Sequence, residues 1–180
     1  MVWKVKRNGP MSQETERRFL MNNQELLKSC IKEETELVFD CFSREDAFEL
    51  GCLLYENSKR YPAPCCFEIT VNGLVVFRYF PQGSIPDSEL WLKRKRNSVN
   101  LMHMSSLHFM AWLTGLCETL EDRKLDPKEY AAGGGGFPII LRGTGVIGSI
   151  CVSGMPDHML DHQLILESVA GFLKRKTGVK

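Results

Sequence analysis

The chain has 180 residues, of which 43% are hydrophobic and 25% charged, with a formal net charge of +1. This describes one ordinary globular domain, large enough to fold without a metal or disulfide framework. The near-zero charge gives no global drive toward nucleic acid, membrane or acidic partners, and no apolar run approaches the roughly 20 residues of a membrane span.

Residues 1–12 read as a flexible N-terminal arm broken at Asn8-Gly9-Pro10, and residues 13–180 as a single domain. The arm is basic but has no apolar segment, which excludes a secretory signal. Glu14–Glu34 has helical periodicity, with Phe19, Leu20, Leu26, Leu27, Cys30 and Ile31 on an uneven apolar face. Glu36–Phe42 has strand character. Ser43-Arg44-Glu45-Asp46 is a variant of the capping box. It opens a helix over Arg44–Ser58, whose Ala47, Phe48, Leu50, Gly51, Leu54 and Tyr55 form a stripe expected to lie on a sheet.

Cys65–Val71 and Leu74–Phe80 form a hairpin across Asn72-Gly73, a dipeptide that accepts positive φ at both turn positions. Asp87 is placed to cap the next helix. Its pattern continues to about Thr119 through Val99, Met102, Ser106, Phe109 and Leu113. Such a length implies a break near His103–Ser106.

The stretch Ala131–Asp161 carries most of the functional information. Four glycines, Gly133–Gly136, precede two apolar strands, Phe137–Leu141 and Val146–Ser153, around a turn at Arg142–Gly145. Their apolar character implies central strands covered on both faces. Gly148 suggests a bulge or close backbone approach. A last helix runs from Asp157 to Lys176, with His162, Leu166, Val169 and Leu173 on one stripe. The element order argues for an α+β protein: a three-layer α/β/α sandwich with a five-stranded, mainly antiparallel sheet.

Seven scattered cysteines, without a CxxC pair, read as reduced and buried thiols in a cytoplasmic protein. Neither they nor the four histidines show the close pairing of a zinc site, so no metal ligand set is expected.

The ordered set Asp46–Gly51, Trp91–Lys95, Ser105-Ser106, Glu129–Ala131, Gly134–Ile139, Ile147-Gly148, Val152–Gly154 and Asp161-His162 resembles the haem-degrading-domain family, the GlcG/HbpS-like group. The resemblance is to its short, stand-alone, uncharacterised members. It implies a profilin-like five-stranded sheet flanked by helices and a homo-oligomer. It also makes haem a candidate cofactor, since some relatives bind and degrade it. In one departure, a histidine often stands before the Gly-Gly of the Gly-rich loop, where this chain has Gly133.

The residues leave several chemistries open. Consecutive glycines can turn backbone N–H groups toward an anion, or can permit close packing. The loop is not GxGxxG and has no P-loop lysine. His158 and His162 have the helical spacing of a metal pair, yet Asp157 and Asp161 also suit a helix start. His103 and His108 lie among Met102, Met104 and Met110, residue types that serve as haem ligands or as core. Lys93–Arg96 could meet phosphate, a propionate or a carboxylate, or could be a solvated face.

The expected ligand-contact set is Arg94, Lys95, Gly134, Gly135, Phe137, Asp161 and His162, with no catalytic residue assigned. The reading is a cytoplasmic homo-oligomer that binds haem or another small planar anion and contacts neither nucleic acid nor membrane. The alternatives are a non-enzymatic oligomeric scaffold or chaperone-like protein, and a small-molecule enzyme with its pocket at the Gly-rich loop.

Overall fold

The computed structural model describes residues 13–178; the expected arm over 1–12 lies outside them. The described elements are α1 (Gln13–Glu36), α2 (Arg44–Ser58), β1 (Cys66–Val71), β2 (Leu74–Tyr79), α3 (Pro86–Met102), α4 (Ser106–Leu116), β3 (Gly136–Leu141), β4 (Gly145–Ser153) and α5 (His158–Thr177).

Local chemistry sets most boundaries. Asn72 and Gly73 take φ of 49° and 80° and close the β1–β2 hairpin. The Ser43 side chain accepts from the Asp46 N–H, and Asp46 accepts from the Ser43 N–H, completing the capping box of α2. The expected break after α3 falls at His103, which is left-handed at φ 54°. Ser105 then caps α4 by accepting from the His108 N–H. Asp157 caps α5, whose basic last turn ends at left-handed Gly178. Asp87 is not the cap of α3: Ile85 holds that position ahead of Pro86, and Asp87 accepts from the Trp91 indole instead.

The strands form one antiparallel sheet in the order β2-β1-β4-β3. The expected fifth strand over Glu36–Phe42 is reduced to one parallel bridge between Phe39 and Leu141. Phe39 donates to Ile140 O and accepts from the Arg142 N–H, both at 2.9 Å. The cause is length: α1 runs on to Glu36 and Ser43 already caps α2, leaving too little chain for a ladder. Of the two apolar strands, β4 is central as expected, whereas β3 lies at the sheet edge beside that bridge.

Alternation along the strands gives the sheet two unlike faces. Phe67, Ile69, Phe137, Ile139, Ile150 and Val152 pack against Ala47, Leu50 and Leu54 of α2 and Leu164, Ile165 and Val169 of α5. On the opposite face Cys66 and Cys151 meet Leu92 of α3. Between them are buried polar groups. Thr70 and Ser149 share a hydroxyl hydrogen bond of 2.8 Å. Buried Glu68 is held by Arg78 and, at 2.6 Å, by Arg96. Gly148 is the close approach anticipated from sequence, because a Cβ there would overlap the Thr70 carbonyl. The α2 stripe is narrower than expected: Phe48 and Tyr55 are exposed, and the Phe77 ring lies against Gly51.

Candidate functional site: a polar cluster under the Gly-rich loop

The loop between α4 and β3 is tied down by its own N–H groups. Gly133 donates to Ser106 O, Gly134 to His158 Nδ1 and Gly136 to Ser106 Oγ, each at 2.9 Å. These donors are met by protein acceptors. Gly135 has φ +103°, and a Cβ there would lie 2.5 Å from both Lys95 Nζ and Val152 O. Close packing accounts for Gly134, Gly135 and Gly136, whereas a Cβ at Gly133 would make only ordinary contact with His158. Partial burial holds the His158 imidazole below its usual pKa, consistent with a neutral ring accepting from Gly134.

Beneath the loop is a buried ion pair. Lys95, 5% exposed, donates to Asp161 Oδ2 at 2.9 Å and to Val152 O at 2.7 Å. Asp161, 2% exposed, also accepts from the Met155 N–H through Oδ1. Burial pushes the Asp161 carboxyl up, and the Lys95 ammonium opposes that push. The pair joins α3, β4 and the start of α5. The rest of the basic run is engaged too. Lys93 meets Glu129 at 2.7 Å, Arg96 meets Glu68, and Arg94 donates to Lys128 O while stacking over Trp91.

A second cluster lies where α1 meets α5. His162 is 2% exposed, and its Nε2 is 3.1 Å from Glu33 Oε2. Its Nδ1 is buried without a hydrogen-bond partner, and its ring is 6.0 Å from that of Phe137. Burial opposes ionisation of Glu33, but hydrogen bonds from His162 and Ser29 outweigh it and hold the carboxyl below its ordinary range. Cys30 is one helical turn away and fully buried. Burial, then Glu33 and Glu34, push its thiol up to about 12. Cys30, Glu33 and His162 place ligand atoms within 4.8 Å of one another. Next to them Glu34 accepts from the Ser105 N–H and contacts His108 Nδ1 at 2.9 Å.

Six of the seven expected contact residues are therefore buried in the chain: Lys95 and Asp161 as a pair, Gly134 and Gly135 above them, Phe137 and His162 beside them. Arg94 remains at the surface. Sequence reading assigned no site role to Cys30, Glu33 or Glu68, and took Ser106 only as part of the family pattern. The only available signal was the i, i+3 spacing of Cys30 and Glu33 on one helical face.

A different face is open to solvent. A shallow groove of about 340 Å³ lies between α2 and α5, with Phe48, Cys52, Leu53, Phe172 and Arg175 along it and Glu49 and Glu56 at its rim. Glu49 is paired with Lys176 and Glu56 with Lys59. Arg175 makes no ion pair among the described residues. All seven cysteines are free, but Cys41, Cys52 and Cys117 are exposed, not buried as expected. They sit at element ends or on outward helical positions. Among the described residues no helix is long and apolar enough to cross a membrane.

A family model described as haem degrading protein HbpS-like matches residues 42–170. The chain belongs to the HbpS-like family. It is 39% identical to a UPF0303 protein of Serratia proteamaculans, over 85% of this chain and 95% of the relative. It is 38% identical to a UPF0303 protein of Rhizobium rhizogenes, over 82% and 90% of the two chains. Among solved structures, the Ybr137w protein matches with TM-score 0.75 and 25% identity, over 91% of this chain and 98% of that one. A haem complex of PduOC matches with TM-score 0.60 and 17% identity, over 72% and 94%, a likeness of fold.

Proposed function

We propose that this HbpS-like chain is a cytoplasmic homo-oligomeric binding protein for a small planar anion, with haem the first ligand to test. The observation that carries the reading is the α2–α5 groove. It combines an exposed aromatic side chain, Phe48, over the largely buried Leu53 and Phe172 with an exposed thiol at Cys52 and a cation, Arg175, that has no ion pair among the described residues. Such a set fits haem: the thiol can ligate iron, the guanidinium suits a propionate, and the exposed Phe48 suits a ring face. Bound haem would supply iron for ligand or redox chemistry; the chain's part is to hold and orient it.

The Gly-rich loop suits a tetrapyrrole less well, because its glycines are packed against Lys95, Val152 and His158. The expected contact set then frames the first turns of α5, about 20 Å along the helix from Arg175. A ligand at the loop itself would have to part Lys95 from Asp161. The profilin-like description of the layers belongs to the same reading.

The test is a hemin titration of the full chain. A saturable Soret shift with one hemin per chain, lost in Cys52→Ser and weakened in Arg175→Glu, is the expected result. A shift unchanged in both variants but lost in Lys95→Met would return the site to the loop.

The oligomeric scaffold is favoured by a separate observation. The outer edge of β2 is unpaired among the described strands, and Leu74 and Val75 on it are exposed. Phe48, 63% exposed, continues this patch through its ring contact with Phe77. Such an edge invites pairing with a second copy.

A further inference from the structure

We propose that Cys30, Glu33 and His162 form a binding site for one divalent transition-metal ion of the zinc class. The three residues come from two elements far apart in sequence, α1 and α5, and their ligand atoms converge within 4.8 Å. A thiolate, an imidazole and a carboxylate together select a borderline metal; calcium and magnesium prefer oxygen alone. The 3.1 Å between His162 Nε2 and Glu33 Oε2 is close to the edge of a tetrahedron whose metal–ligand bonds are about 2.0–2.1 Å.

The surroundings already hold these groups in place. Ser29 donates to Glu33 Oε1 at 2.8 Å, which turns Oε2 toward His162. Phe137 packs beside the His162 ring. His162 presents Nε2 to the cluster, and its Nδ1, buried without a partner, would carry the ring proton once Nε2 ligates the ion. The Glu33 side chain is 23% exposed and forms the solvent edge of the cluster, the side from which an ion, and a water as fourth ligand, would enter. Binding forms the Cys30 sulfur–metal bond and releases the thiol proton to solvent.

The site is independent of the proposed ligand groove and joins α1 to the sheet-packed helix α5. Its test is titration of the metal-free full chain with Co²⁺, followed by Zn²⁺. One equivalent of Co²⁺ should give a near-ultraviolet thiolate-to-cobalt band with visible bands of a tetrahedral ion, and Zn²⁺ should displace it. Cys30→Ser should abolish the thiolate band, and His162→Gln and Glu33→Gln should each weaken cobalt binding at least about tenfold. Absence of any band in the wild type overturns the site. So does a band of undiminished strength in Cys30→Ser, which would trace it to the exposed Cys41, Cys52 or Cys117. If Cys30→Ser fails to fold, Glu33→Gln decides. Its residue lies at the rim, its fold is checked by circular dichroism, and an unchanged cobalt affinity in it overturns the site.

Discussion

Lys95 illustrates how one residue can be readable in type and not in role. Its place in Lys93–Arg96 suggests a solvated basic face, and nothing local shows that its amine turns inward to Asp161, 66 positions away. The pair holds three elements together, so removing one partner strands a buried charge. Asp161→Ala is expected to cost about 3–5 kcal/mol in urea unfolding, whereas the paired replacement Lys95→Met with Asp161→Leu should recover most of that loss. A loss below about 1 kcal/mol in the single variant would mean that water reaches Lys95. His158 gives a pH prediction at the same scale. Its folded pKa is depressed, so folding favours the neutral ring that accepts from Gly134. That contribution is present above the unfolded value of about 6.5 and is lost as pH falls through the lower folded value. The Gly134 amide should therefore exchange faster than global unfolding allows as pH drops toward 5, and the effect should vanish in His158→Gln. Equal pH dependence in both proteins would contradict the bond.

At the scale of elements, strong local signals were legible and tertiary ones were not. Asn72-Gly73, the Ser43 capping box and the break at His103 rest on backbone preferences that a few residues determine. The fifth strand failed because its apolar residues, Leu37 to Phe42, face a competition for chain length with α1 and α2. The phase of α2 was overestimated because Phe48 and Tyr55 lie at the flank of the stripe, where burial depends on the neighbouring β2. Gly148 was legible because a glycine inside an apolar strand has few other reasons. Gly148→Ala should destabilise the sheet toward the upper end of the roughly 1–3 kcal/mol of core overpacking, since its Cβ meets the Thr70 carbonyl of the neighbouring strand β1 rather than a movable side chain. Thermal melts compare it with Gly143→Ala, where a Cβ meets only open space although φ is positive. A Gly148→Ala loss no larger than that of Gly143→Ala would contradict the steric reading, because Gly148 has no positive φ to explain it.

For the whole molecule, the family was legible because its motifs are spread in order along the chain, from Asp46 to His162. The candidate site was only half legible. The loop and the start of α5 were recognised, but Cys30 and Glu33 lie upstream of the family match at residues 42–170 and become meaningful only when the fold brings them to His162 of α5. The groove at Cys52 was hidden because an exposed thiol and a buried one look alike in sequence. The exposed β2 edge and Phe48 point to self-association, and the groove beside them points to a planar ligand. Native mass spectrometry of the purified full chain with added hemin reads both at once. The predicted result is a closed oligomer at a multiple of 20.5 kDa, carrying up to one haem per chain and losing haem in Cys52→Ser. A monomer at 20.5 kDa that binds no haem would contradict the proposed function.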